Sequence, residues 1–342
     1  MSSETKRIEF IDYLNIFCCI SVIALHCNGC FWKFSYERYW ITSVFIECIF
    51  YFAVPVFFMI SGVNLIDYRE KYDTKTFLKK RLVKIFVPFL FWSIVWVLMT
   101  KQYRGKDVID IFELIINTKA QGVYWFFIPL FATYLSIPIF GFVNKNDRRK
   151  VYSYVVGLSL IFVVTIPLVC KLLNFNYNYG LTPYVSSGYL IYVLLGYLLV
   201  NCYQFTLKQR RIIYLIGTIG LFSRLLTVMF WSLEAGKIVN VLGGYTALPT
   251  VAYSIAVFVF FQYDLEKVVN IESLRKFDLS QIAGYGFGVY LLHMFFVIGL
   301  PKVFQFSNHS IWWRTVGVYV VYGLCVISVM IFKKIPFLKK VV

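Results

Sequence analysis

Charged residues are scarce in this sequence. Asp, Glu, Lys and Arg make up 15% of its 342 residues, whereas hydrophobic residues make up 60%. A water-soluble domain of this size could not cover so much apolar side chain, which excludes an ordinary soluble globular protein. The long apolar stretches also lack the alternation of apolar and polar residues that is typical of a transmembrane β-barrel. The sequence therefore indicates an all-α, polytopic membrane helix bundle.

Several motifs of other protein classes are absent as well. The chain has no Walker loop, dinucleotide-binding fingerprint or zincin motif. It also has no internal repeat or inverted symmetry, which disfavours a secondary transporter. The eight cysteines lie mostly inside apolar stretches and do not indicate a disulfide framework. Cys27 and Cys30 form a single pair beside His26, and a structural zinc site needs four ligands, so we expect no bound metal.

Ten apolar stretches follow one another along the chain. They cover residues 8–29, 40–66, 83–100, 123–143, 151–173, 185–200, 212–231, 244–263, 282–300 and 311–332. A helix that crosses a bilayer needs roughly 20 apolar residues. The first stretch follows Lys6 and Arg7, but it is too long for a signal peptide and lacks a cleavage site, so we expect an uncleaved helix. We predict ten transmembrane helices in a single domain over residues 1–342.

Lys and Arg are distributed unevenly between the connecting loops. If the N-terminus is cytoplasmic, the segments on that side contain 23 of these residues and the outer segments contain 10. Basic residues concentrate in cytoplasmic loops, so this bias predicts that both termini of this multi-pass chain are cytoplasmic. The same rule explains the net charge of +17, and we expect the lipid bilayer but no nucleic acid as a partner.

A few polar residues interrupt the apolar stretches, and burial in a bilayer makes each of them a functional candidate. His26, Glu47, Arg224 and His293 are predicted to converge in one cavity. A histidine with a carboxylate partner can act as a general base on a hydroxyl. Asn15 lies eleven residues before His26, which puts both side chains on one helix face about 16 Å apart. The alternative is that these groups only satisfy one another between helices.

A basic cluster follows the second apolar stretch. It consists of Lys75, Lys79, Lys80, Arg81 and Lys84. Such a cluster suits a polyanion such as the phosphates of a coenzyme. The bias of basic residues towards the cytoplasm and the binding of anionic headgroups produce the same pattern, so the residues alone leave both interpretations open.

Five segments, in the same order, resemble the acyltransferase-3 family of membrane acyltransferases. They are Ile11–Leu14 with His26, Pro55–Gly62, Arg81–Lys84 before Pro88, Tyr124–Phe127 and Gly288–His293. The resemblance spans nearly the whole chain. It implies a ten-helix fold and transfer of an acyl group, usually acetyl, from acyl-coenzyme A to a hydroxyl of a cell-surface glycan or its lipid-linked precursor. Acyl-coenzyme A would be a co-substrate, with no cofactor bound permanently.

Together, the polar residues and the resemblance predict three groups of site residues. The catalytic group is His26, Glu47 and Asn15; the coenzyme-binding group is Lys80, Arg81 and Lys84; the substrate-binding group is Ser61, Trp125, Arg224, Tyr290 and His293.

Asn15 departs from the family pattern, which usually has Arg or Lys at this position. Asn cannot neutralise a carboxylate or phosphate, so Arg224 or Lys84 would have to substitute, unless the chain belongs to a divergent branch or its activity is altered. The alternative function is export of a polysaccharide or lipid-linked sugar, in which the same polar groups would form a pathway. A third hypothesis is a structural or sensory membrane component with a vestigial site.

Overall fold

The computed structural model describes residues 9–186, 188–269 and 279–342, and the regular secondary structure of these residues is helical throughout. The helices are α1 (Glu9–Cys27), α2 (Arg38–Phe50), α3 (Ala53–Leu65), α4 (Thr74–Arg81), α5 (Val87–Met99), α6 (Val108–Ile116), α7 (Phe127–Gly141), α8 (Lys145–Ser159), α9 (Ile166–Leu172), α10 (Leu190–Asn201), α11 (Leu207–Ala235), α12 (Leu248–Tyr263), α13 (Leu265–Val268), α14 (Leu279–Ala283), α15 (Gly286–Phe304) and α16 (Ile311–Lys334). The basic residues Lys6, Arg7, Arg275 and Lys276, which entered the predicted charge bias, lie outside the described residues.

Within the described ranges, eight helical segments are long and apolar enough to cross a membrane. They are Glu9–Cys27, Arg38–Glu70, Thr74–Met99, Gly122–Gly141, Lys145–Leu172, Leu207–Ala235, Gly286–Phe304 and Ile311–Lys334. Two shorter apolar helices, α10 and α12, fall in the sixth and eighth predicted stretches. The all-α class is confirmed, whereas the count of ten spans and their orientation stay predictions.

The second apolar stretch is interrupted rather than continuous. Helix α2 ends at Phe50, the chain turns at Tyr51 and Phe52, and α3 begins at Ala53. A continuous helix would need an N–H from residue 55 for the carbonyl of Tyr51, and Pro55 has none. The interruption leaves Glu47 in the last turn of α2, close to the turn itself.

Two further prolines follow wider, π-helical turns. These turns, Leu82–Phe86 and Leu160–Thr165, lie directly before α5 and α9, which have Pro88 and Pro167 in their first turns. Because proline offers no N–H to the carbonyl four residues earlier, the helix widens before it. The first of these turns follows Arg81 directly and changes the helical phase there. It therefore affects which side chains of the basic cluster face the bundle.

Helices α3 and α10 cross at two glycines. A Cβ added to Gly62 would lie 1.9 Å from the backbone oxygen of Val193, and one added to Gly196 would lie 2.1 Å from that of Met59. The two backbones therefore approach more closely than any larger residue allows, as is typical of helix pairs in membranes. Most of α10 is buried, so this crossing lies at the centre of the bundle.

A partly buried ion pair joins the ends of three elements. Arg148, in the first turn of α8, pairs with Asp67, which follows α3, and donates a hydrogen bond of 2.6 Å to the hydroxyl of Tyr197 on α10. Its Nε donates to the backbone oxygen of Val143 at 3.0 Å. Arg148 is 5% exposed, so this arginine is part of the packed structure rather than of the surface.

All eight cysteines lie in the described part of the chain and are free thiols. Seven are buried, and Cys202 is half-buried. They behave as small apolar side chains of the bundle, as the sequence predicts.

Candidate active site

A cavity of about 530 Å³, called the central cavity below, lies inside the helix bundle. This volume is typical of a small-molecule site. Helices α1, α2, α3, α7 and α15 contribute to its walls, together with the segments before α7 and α12. Of the residues singled out in the sequence, six line it: Asn15, His26, Glu47, Ser61, Trp125 and Tyr290.

One face of α1 forms a wall of the central cavity. Asn15, Val22 and His26 all line it, at spacings of seven and four residues, so they share the helix face that the sequence predicts. At 1.5 Å per residue, the cavity extends about 16 Å along this helix. The wall has a polar residue at each end and an apolar residue between them.

His26 and Glu47 lie at one end of the central cavity, where Asn28, two residues after His26, donates to the backbone oxygen of Ser43, one turn before Glu47, at 2.8 Å. Glu47 is 3% exposed, and both side chains face the cavity. In the part of the chain that the structure describes, they form no hydrogen bond with each other, so Glu47 does not orient His26 directly. A molecule in the cavity can contact both groups, which suits chemistry on a hydroxyl.

His293 lies behind His26 rather than in the cavity wall. It is fully buried, and the centre of its ring is 5.1 Å from that of His26. Its Nδ1 lies 2.6 Å from the backbone oxygen of Tyr290, whose hydroxyl donates to the backbone oxygen of Val123 at 2.5 Å. His293 is therefore a neighbour of the predicted catalytic histidine, whereas Tyr290 reaches the cavity.

Arg224 also lies outside the cavity, behind an aromatic stack. Its guanidinium is 3.6 Å from the centre of the Tyr51 ring; Tyr51 stacks on Tyr245 at 4.4 Å, and Tyr245 stacks on Trp125 at 5.4 Å. The three rings line the cavity, so Arg224 adds positive charge to this wall without touching a ligand. Tyr51 follows Glu47 by four residues and could have been predicted from its helix face, whereas Tyr245 has no such local signal.

Ser61 lies fourteen residues after Glu47, towards the other end of the cavity. Its hydroxyl donates to the backbone oxygen of Phe57 at 3.0 Å. Tyr134, which the sequence did not predict as a site residue, lines the cavity too, and the Arg81 guanidinium lies 5.6 Å from the centre of its ring. A cation is therefore present directly behind the cavity wall at this end.

The three predicted coenzyme-binding residues differ in position. Arg81 is half-buried beside Tyr134, whereas Lys80 is exposed with its ammonium 3.7 Å above the ring of Tyr72. Lys84 is exposed as well. Of these three residues, only Arg81 lies next to the cavity wall. Both lysines lie on the exposed surface of the protein, away from the cavity.

These features define an integral membrane protein whose internal cavity holds a histidine and a carboxylate between apolar walls. A family model described as an acyltransferase domain matches residues 8–332. Because this match covers nearly the whole chain, the chain belongs to the acyltransferase-3 family, and its domain is an acyltransferase domain.

One curated protein is similar to about half of this chain. The nodulation protein NolL of Mesorhizobium japonicum is 23% identical over 166 residues, a region that covers 47% of this chain. The match spans 41% of NolL, less than half of its length. No solved structure matches the chain significantly.

Proposed function

We propose that the chain is a membrane O-acyltransferase. It transfers an acyl group, acetyl in the first instance, from acyl-coenzyme A to a hydroxyl of a cell-surface glycan or of its lipid-linked precursor. The observation that carries the proposal is the central cavity, which has His26 and Glu47 at one end and Ser61 and Tyr134, backed by Arg81, at the other. Membership of the acyltransferase-3 family supports the reaction class.

The proposed topology has ten spans in the plasma membrane, with both termini in the cytoplasm. The eight long segments are joined by α10 and α12, which have 12 and 16 residues. A short span is acceptable for α10 because neighbouring helices, rather than lipid, surround most of it. The excess of Lys and Arg in alternate loops supports the orientation.

Acyl-coenzyme A then enters from the cytoplasmic side. Its phosphates meet Arg81, whose planar guanidinium suits phosphate oxygens, with Lys80 and Lys84 contributing charge from the surface. The thioester arm extends past Ser61 along the apolar middle of the cavity towards His26.

His26 acts as the general base. It takes the proton of the acceptor hydroxyl as the oxygen attacks the thioester carbonyl carbon. The tetrahedral intermediate expels the coenzyme thiolate, and His26 gives the proton to the thiolate. One O–H and one C–S bond are thus broken, and one C–O and one S–H bond are formed. Glu47 stabilises the transient imidazolium. The Ser61 hydroxyl donates to the backbone oxygen of Phe57 and, within the described residues, forms no hydrogen bond with His26, which supports direct transfer over an acyl-serine intermediate.

Replacement of the base tests the proposal. In membranes incubated with labelled acetyl-coenzyme A and a lipid-linked glycan fraction, we expect His26→Ala to lower transfer by about 10²–10⁴-fold with unchanged protein level. His309→Ala is the matched control, because His309 is exposed. Retained transfer in His26→Ala would remove His26 from the mechanism. A strain that lacks this protein distinguishes an acyltransferase from an exporter. If the protein is an acyltransferase, the surface polymer is still present outside the cell but lacks its acyl ester; if it is an exporter, the polymer no longer appears outside the cell.

The coenzyme end of the cavity has a separate test. We expect Arg81→Gln to raise the KM for acyl-coenzyme A about tenfold or more, because a charge-assisted hydrogen bond to phosphate is lost. Lys80→Gln, one residue away but exposed, should change it by less than about threefold, as for a screened surface charge. Equal effects of the two substitutions would contradict a specific role for Arg81.

A further inference from the structure

His293 is a buried ionisable residue that the proposed reaction does not use. It is 0% exposed and absent from the cavity wall, yet its ring is in contact range of His26, with centres 5.1 Å apart and planes tilted by 37°. A side chain in this position can act on a substrate only through a neighbour that lines the cavity, and His26 and Tyr290 are the two neighbours in ring contact with it.

The tautomer of His293 follows from one hydrogen bond. Its Nδ1 lies 2.6 Å from the backbone oxygen of Tyr290, and a carbonyl oxygen can only accept. Nδ1 therefore carries the proton, and Nε2 of the neutral ring carries the lone pair. Because Tyr290 is itself anchored to Val123, the direction of this lone pair is held by the packing of α15.

The lone pair on Nε2 has no hydrogen-bond partner within the described ranges, although the atom is buried. A buried acceptor without a partner costs about 1–3 kcal/mol, so such atoms call for an explanation. His26, whose ring centre lies 5.1 Å from that of His293, is a neighbouring polar group that can supply a donor, because a neutral imidazole has one N–H.

We propose that His293 is a positioning residue for His26. Its Nε2 accepts a hydrogen bond from the ring N–H of His26 in the reacting complex, which directs the other, unprotonated nitrogen of His26 into the central cavity. Catalytic hydrogen bonds that are long in an unliganded structure commonly shorten in the complex. The orienting contact to His26 thus comes from a neutral histidine, and Glu47, which lines the cavity, faces the acceptor and the transient imidazolium.

The ring contact is testable without any activity. The chain has three histidines, so protein labelled with nitrogen-15 histidine in lipid nanodiscs gives few ring signals. We expect His293 to be protonated at Nδ1 and His26 to be held in one tautomer. In His293→Leu, His26 should show a mixture of both tautomers. An unchanged His26 tautomer in folded His293→Leu would overturn the proposal.

The catalytic consequence rests on the proposed function and has its own test. We expect His293→Leu to lower kcat for acetyl transfer about 10- to 100-fold, the usual effect of losing a residue that orients a catalytic group, with KM for acyl-coenzyme A unchanged. His293→Gln, whose side-chain oxygen can accept the bond, should recover part of kcat, and His309→Gln should match the wild type.

A structural role alone predicts a different result. In that case His293→Leu would give less folded protein, but kcat per folded molecule would be unchanged, and this result would overturn the proposal. Equal kcat values for His293→Leu and His293→Gln would overturn it as well. If the wild type transfers no acyl group, the proposed function fails, and the tautomer measurement still decides whether His293 orients His26.

Discussion

The resemblance to the family implies Arg or Lys where this chain has Asn15, and the Asn15 amide has a defined partner. Nδ2 donates to the backbone oxygen of Ala283 at 2.9 Å. The bond joins α1 to the end of α14, just before α15 begins at Gly286. The same side chain also lines the central cavity. One residue therefore both connects two parts of the bundle and borders the proposed coenzyme path.

Two substitutions of Asn15 separate these roles. We expect Asn15→Leu to lower the free energy of unfolding by about 1–3 kcal/mol, because the buried carbonyl of Ala283 loses its donor. Asn15→Arg keeps a donor and has the cavity to extend into, so it should express normally and change the KM for acyl-coenzyme A. Thermal unfolding in detergent and coenzyme titration measure the two effects. Wild-type stability of Asn15→Leu would show that the bond to Ala283 does not support the fold.

Arg224 is the buried cation behind the cavity wall. It is 3% exposed and stacks on Tyr51, one turn after Glu47. We expect its charge to compensate the buried carboxylate of Glu47, since removal of one charge leaves the other unpaired in the bundle. Arg224→Leu should therefore be destabilised, and adding Glu47→Gln should restore stability. A double-mutant cycle by thermal unfolding should give a coupling of about 0.5–3 kcal/mol; additive effects would mean that the two charges are independent.

Between elements, the crossing of α3 and α10 depends on glycine. We expect Gly62→Ala to reduce the yield of folded protein strongly, because its Cβ would lie 1.9 Å from a backbone oxygen that cannot move alone. Gly323→Ala in α16 is the matched control: a Cβ there meets nothing within 4 Å, so the change should be neutral or stabilising by up to about 1 kcal/mol. Equal yields of the two variants would contradict the close crossing.

The sequence predicts some parts of this site and not others, for physical reasons. The helical stretches and the shared face of Asn15 and His26 follow from local periodicity, which a single helix preserves. The sequence does not show which of Lys80 and Arg81 faces the bundle. Neighbouring residues on a helix point 100° apart, and the sequence does not tell which face of the helix packs against the bundle. The π-helical turn after Arg81 changes the helical phase of Lys84 as well.

Long-range packing hides the remaining features. Tyr245 joins the aromatic stack from the segment before α12, far along the chain from Tyr51 and Trp125, and nothing local indicates it. The same holds for the bond from Asn15 to Ala283. Pro55, by contrast, is a local signal that predicts the interruption between α2 and α3.

At the scale of the whole molecule, the proposed orientation predicts which loops are accessible from outside. A cysteine at Lys106, between α5 and α6, should react with an impermeant thiol reagent added to intact cells, whereas one at Lys150, in α8, should react only after permeabilisation. Both positions are exposed. Position 148 would be a misleading choice, because Arg148 is buried. A thiol there would not react with the reagent, whichever side of the membrane this position is on. The reverse labelling pattern would invert the topology.

The burial of the native thiols has a practical consequence for all of these experiments. Seven of the eight cysteines are inside the bundle and Cys202 is half-buried, so the unmodified chain should give a low labelling background without prior removal of its cysteines. The same thiols become reactive when helices separate. The rate at which these thiols are alkylated therefore reports local opening of the bundle. It can be measured for each variant without a substrate, as a test of whether the variant is folded like the wild type.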